Sequence, residues 1–216
     1  DFLAGLERLY NGYVDSFRSA AGALPEMIVL KLRHTRGVAD DAALIMSGEG
    51  WPVADRVIGR ACALLHDTGR YSQWAEFGTF QDSRSVDHAQ RAVDVITRQG
   101  WLSGLAAAER KVVLAAVALH NRRDLPAGLD TATAAHARLV RDADKLDIFR
   151  VFEAAAADGM LERNPEMTWG LQMDGPPAPD VLQAAAAGAT IDYAQVQSLA
   201  DFILIQAGWL AGGLHY

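Results

Sequence analysis

Helical periodicity in this chain places four histidines and two aspartates on faces that are otherwise apolar. His34 continues the stripe Met27, Leu30 and Val38; His66 follows Ile58 and Cys62; His88 leads into Ala92 and Val95; His120 extends Val113, Ala116 and Val117. Asp144 lies between Val140 and Val151, with Asp147 one turn on, and Asp67 is the neighbour of His66. Stripes at three- and four-residue spacing face a core, so these polar groups are carried inward. Taken singly, each histidine reads as a hydrogen-bonded core residue. Taken together, burial without compensation would cost roughly several kcal/mol per charged group, and metal coordination is the usual compensation. Imidazole and carboxylate without thiolate suit one or two ions of Fe, Mn, Co, Ni or Zn, with Mg also admissible, and disfavour a structural zinc knot. Asp67 beside a ligand histidine is placed to bridge two ions. His136 and His215 fall outside the series.

The rest of the chain also reads as helix. Leu3, Leu6, Leu9, Tyr10 and Val14 mark an amphipathic helix within 2–20. A second runs from Pro25, well suited to a first turn, to Met46, and a third from Asp55 to Leu65. Residues 71–85, with Gly78, Asp82 and two serines, read as a long loop. Helices resume at about 86–98, 107–120, 130–158, 180–188 and 192–210, with a proline-rich loop over 164–179. Alternating strand patterns are missing, so the fold class is all-α. With no repeat or polar linker in 216 residues, the expectation is one domain over 1–216, its motif-bearing core at about 25–160 and helices at 180–212 packed on that core.

Charge narrows the partners. A net charge of −7 argues against a nucleic-acid polymer, which needs clustered Lys and Arg. A small anion fits better, because bound divalent ions would reverse the local field. The single cysteine, Cys62, cannot form an intramolecular disulfide and is compatible with a reducing cytoplasm. It reads as a buried core thiol. The sequence shows no signal peptide and no apolar run of about 18 residues that would span a membrane; a cytoplasmic location without membrane contact is the expectation.

Three segments carry a resemblance: Leu64-Leu65-His66-Asp67-Thr68-Gly69-Arg70, Ser85-Val86-Asp87-His88-Ala89, and Arg141-Asp142-Ala143-Asp144-Lys145-Leu146-Asp147. In this order, over roughly residues 30–150, they resemble the HD superfamily of metal-dependent phosphohydrolases, in its two-metal branch. The resemblance implies His34, His66, Asp67 and Asp144 on one ion and Asp67 bridging to a second held by His88 and His120. It also implies a helical fold with the site in the centre of the bundle. The chain departs from several subgroups: Thr68, Gly69 and Arg70 stand where some one-metal nucleotidases carry a catalytic Glu and alarmone hydrolases an acidic pair. The Gly-Tyr-Pro signature of cyclic-dinucleotide phosphodiesterases is missing.

The implied activity is hydrolysis of a small phosphate ester, a nucleotide among the candidates, by metal-activated water. Asp67 and Lys145 are the candidate catalytic residues, Lys145 meeting the phosphate or leaving group. Arg70, Arg84, Arg122 and Lys145 are the candidate substrate contacts, each with an alternative as an ordinary solvated side chain. Asp87 either orients a ligand imidazole or caps the helix beginning near His88. Tyr71, Trp74, Phe77 and Phe80 either wall a nucleobase pocket or pack the 71–85 loop. Two other readings share the ligand series: a mixed-valence di-iron oxygenase of HD type, and a sensing or interaction module that keeps its metals for structure.

Overall fold

The computed structural model describes residues 1–168 and 170–216. It is all-α: among the described residues no strand forms, and an isolated bridge joins Gln172 to Ser198. No helix among them is long and apolar enough to cross a membrane. Contacts divide the chain into two compact units, Asp1–Ile148 with Tyr216, and Phe149–His215.

The first unit begins with α1 (Phe2–Asp15), whose Leu6, Tyr10 and Val14 are buried as their spacing requires. α2 (Glu26–Gly48) and α3 (Val53–Leu65) each start directly after a proline, Pro25 and Pro52, in extended backbone. α4 (Thr68–Phe77) follows α3 almost without a break and ends at Gly78, which takes the left-handed conformation (φ 63°) and returns its N–H to Trp74. α5 (His88–Gln99) is capped by Asp87, whose carboxylate accepts from the N–H groups of Ala89 and Gln90. α6 (Ala107–Leu119) and α7 (Thr131–Ala157) complete the series, and the boundary between the units falls within α7. Leu6, Tyr10 and Val14 pack with Ile58, Cys62 and Leu65 of α3, Val95 and Ile96 of α5, and Val113 and Val117 of α6. Full burial of each such aliphatic side chain stabilises by about 1.5–3 kcal/mol. A second cluster joins Val38, Ala42 and Met46 of α2 to Leu139 and Ala143 of α7.

Residues 71–85 are not one loop. Tyr71 and Trp74 belong to α4, and only 78–87 departs from α-helix, with a 3-10 turn at Asp82–Arg84. The helix escaped the sequence reading because its inward face carries Gly69 and Gln73 rather than aliphatics. Gln73 is fully buried; its amide donates to Asp82, Ser85 and the Val86 carbonyl and accepts from Arg70. A polar residue thus pins the 81–86 segment to α4.

In the second unit, a short α8 (Met160–Arg163) comes first, and α9 (Pro179–Ala186) and α10 (Leu199–Gly208) pack about Val181, Ile191 and Ile205. Asp201 is its polar anchor, accepting from the backbone N–H groups of Ala178, Gln197 and Ser198.

Gly69 sets the closest approach of α4 to α5. A Cβ there would stand 2.1 Å from the His88 carbonyl oxygen and 2.7 Å from the Ala92 nitrogen, and backbone cannot move aside as a side chain can. Gly69→Ala should therefore cost about 3 kcal/mol or more, measured by urea denaturation. Gly48→Ala, with nothing within 4 Å of its Cβ, should be neutral or stabilising by up to about 1 kcal/mol.

Candidate metal centre

The six residues of the ligand series converge inside the first unit. His34 stands mid-way along α2, His66 and His120 follow the last residues of α3 and α6, His88 opens α5, and Asp144 lies on α7. Asp67 occupies the two-residue junction of α3 and α4.

Each imidazole is fixed through its Nδ1. His66 and His120, at helix C-termini, donate to carbonyls three residues back, Ala63 at 2.8 Å and Val117 at 2.7 Å. The last carbonyls of a helix lack partners within it, so a histidine placed there satisfies one and is oriented by it. His34 and His88 instead meet carboxylates: Asp147 Oδ2 at 2.7 Å and Asp82 Oδ2 at 2.6 Å. Carbonyl and carboxylate oxygens only accept, so each Nδ1 carries the hydrogen. Gly37 makes room for Asp147: a Cβ would lie 1.9 Å from its Oδ1.

All four Nε2 atoms consequently face inward around Asp67, which divides them. Its Oδ2 lies 3.7 Å from Nε2 of both His34 and His66, and its Oδ1 lies 3.5 Å from His88 Nε2 and 3.6 Å from His120 Nε2. Asp144 Oδ1 joins the first set, 3.0 Å from His34 Nε2 and 4.0 Å from His66 Nε2. The Nε2 atoms of His88 and His120 are 3.0 Å apart.

Ligation needs neutral imidazoles and ionised carboxylates, and burial favours the neutral form at His66 and His88. Burial depresses His66 to a pKa of about 4, and burial with the nearby Arg70 charge takes His88 to about 3. His34 is pulled the other way: burial and Lys31 push it down, but Asp144 and Asp147 outweigh them. For Asp67, burial favours the neutral acid, yet Lys31, His66, His120 and Arg70 hold its carboxyl well below the usual range. The same contest in Asp144 is won by His34 and His66.

The donor set fits divalent metal. His88 and His120 bring their Nε2 atoms 3.0 Å apart, and His66 Nε2 is buried with no hydrogen-bond partner. A buried nitrogen without a partner is costly unless a cation satisfies it. Three or more potential ligand atoms gather within 4.8 Å of one another in two overlapping groups here, His34/His66/Asp144 and His66/Asp67/His120.

A family model described as HD domain matches residues 32–148, more than half of the 216-residue chain. The chain belongs to the HD domain family. HD domains bind divalent metals and are in general hydrolases. No curated protein and no solved structure matches the chain significantly.

The remaining sequence candidates lie around this HD centre with other partners. Arg70 has its Nε 3.5 Å from Asp67 Oδ1, while its Nη1 is tied to Gln73, the Phe80 carbonyl and Asp82. It braces the dyad against the 80–82 segment. Arg84 is exposed and bonded to Gln81; Arg122 is half-exposed and paired with Asp87 at 2.6 Å. Lys145 is half-buried with Asp142, Arg141 and Asp144 as its charged neighbours. Asp87 caps α5, and Asn121 and Arg122 engage the same carboxylate. Tyr71 and Phe80 are buried and Trp74 packs on Phe80 at 5.1 Å, while Phe77 is exposed beneath the Arg91 guanidinium. Asp142 points away from the cluster, accepting from the Tyr216 N–H. A groove of about 470 Å³ beside Tyr13, Glu76, Arg91 and Arg98 contains none of the six residues; donor chemistry, not cavity size, marks the centre.

Three neighbours of the cluster escaped the sequence reading as such. Asp82 figured only as a loop marker and Asp147 only as the next residue along its stripe; they orient His88 and His34. Lys31, one turn before His34, places Nζ 2.8 Å from Asp67 Oδ2. Its signal was legible: a lysine three residues before an inward histidine shares that face.

Groups that orient ligand histidines usually contribute about 10–100-fold to metal affinity. In two-site Mn²⁺ calorimetry, Asp147→Ala should weaken the position containing His34 and Asp82→Ala the position containing His88, each by about that factor. Unchanged affinity in both variants would remove the orienting role.

Proposed function

We propose that this protein hydrolyses a small phosphate ester, a nucleotide among the candidates, with two divalent ions at the HD centre. The single observation that carries the reading is the division of Asp67: one oxygen faces His34 and His66, which Asp144 also meets, and the other faces His88 and His120. That arrangement suits one ion held by His34, His66, Asp67 and Asp144, and another held by Asp67, His88 and His120. When bound, such ions supply Lewis acidity toward a phosphoryl oxygen and an activated water.

The chain's own groups support an anionic substrate. Side-chain exposure rises from 4 % or less at Asp67 and the four histidines to 18 % at Lys31 and 22 % at Asp144. Substrate therefore approaches past those two residues. Lys31 and Arg70 present positive charge on either side of Asp67, and Lys145, next to Asp144, is assigned to the phosphate or its leaving group. Arg84 and Arg122 are assigned to the rim, where guanidinium groups suit paired contacts with phosphate oxygens.

The test is phosphate release by the Mn²⁺-loaded protein under anaerobic conditions, over phosphomonoesters and nucleotides. Release is expected, and Asp67→Ala or His120→Ala should reduce it by at least about a hundredfold. Lys145→Ala should lower kcat with KM little changed. Turnover only with iron and oxygen, without hydrolysis, would replace this reading by an oxygenase.

A further inference from the structure

Lys31 is the strongest cationic contact of Asp67, yet it belongs to none of the ligand segments and precedes the family match by one residue. Its Nζ lies 2.8 Å from Asp67 Oδ2, the oxygen that also stands 3.7 Å from Nε2 of His34 and of His66. The same ammonium stands 5.4 Å from the centroid of the Phe80 ring, and the Arg70 guanidinium 5.8 Å from it. The two cations differ in freedom. Arg70 is tied through Nη1 to three acceptors. Lys31 sits on a flexible four-carbon stem, with Asp67 and the Phe80 face as its contacts.

We propose that Lys31 sets the affinity of the first cation position by competing, as the chain's own cation, for Asp67 Oδ2. The inference rests on the two-metal reading of the centre. An ammonium and a divalent ion on one carboxylate oxygen are like charges at a separation where each disfavours the other. The bound ion must therefore share Oδ2 or displace the lysine. Phe80 lowers the cost of displacement, because an ammonium leaving the oxygen retains its attraction to the ring face. Without the lysine, Asp67 Oδ2 would lose its nearest positive charge, with Arg70 left on Oδ1, and the first position would bind metal more tightly. Lys31 thus acts as a positioning and tuning residue, and the second position, on Oδ1, is affected less.

Mn²⁺ titration calorimetry on the full chain tests this, with thermal unfolding in chelator and in excess Mn²⁺. Lys31→Met retains the stem but not the charge, and should tighten the first position by about tenfold or more. Lys31→Arg should stay within about threefold of the parent. Lys31→Gln can still donate to Oδ2 without charge and should tighten binding too, which protects the test if the Met variant folds poorly. The Met variant should unfold at lower temperature in chelator and gain more from Mn²⁺; a purely structural lysine would lower both curves equally. Unchanged or weaker Mn²⁺ affinity in the Met and Gln variants overturns the role of Lys31 and leaves the hydrolytic reading standing. Absence of Mn²⁺ binding by the parent overturns both.

Discussion

The first unit is organised around one carboxylate that does not do what its position in the chain would ordinarily ask of it. Asp67 stands at the N-cap of α4, where an aspartate usually accepts from the helix's free N–H groups and contributes about 1 kcal/mol. It makes no such side-chain bond. Asp87, at the same position of α5, does cap its helix. The contrast separates structure from function within one residue type. Asp67 forgoes that local stabilisation and turns both oxygens toward four imidazoles and Lys31.

The imidazoles tie that chemistry to the fold. Two use carbonyls at the ends of α3 and α6, so the helix termini themselves aim the ligands. The other two depend on carboxylates that reach across the structure, Asp147 to His34 over 113 residues and Asp82 to His88 over six. Gly37 and Gly69 are the spatial conditions for this arrangement. One leaves the volume that Asp147 fills; the other lets α4 meet the backbone of α5 beside His88. Errors at either glycine would reach the centre without touching a ligand.

Much of this was legible in sequence. Polar residues on long apolar helix faces show in a 3.6-residue period, and six of them in one order point to convergence. The helices bearing them therefore appeared close to their observed bounds. α4 did not, because a buried glutamine and a glycine erased its apolar stripe. Asp82 did not, because its role depends on how a ten-residue connection folds back on Gln73 and Arg70, which no local pattern encodes. The arginines were legible as charges but not as partners: Arg122 pairs with Asp87 and Arg70 with three acceptors, contacts created only by the packing of α4, α5 and the 121–123 segment.

Lys31 and Lys145 show why helix face outranks sequence adjacency. Lys145 follows Asp144 directly, but consecutive helical residues point about 100° apart, and its charged neighbours include Asp142 one turn back. Lys31 lies three residues before His34, so the two side chains leave α2 on the same side and meet the same oxygen. The basic residue in contact with Asp67 of the HD dyad is therefore the one in phase with His34. The same argument covers Asp142 and Asp144. Both are acidic and two residues apart, yet only Asp144 shares the inward face with Val140 and Asp147, while Asp142 is drawn off to the Tyr216 backbone. Phase along the helix, read against the apolar stripe, decides which charges meet the four imidazoles, and composition alone does not separate the members of either pair.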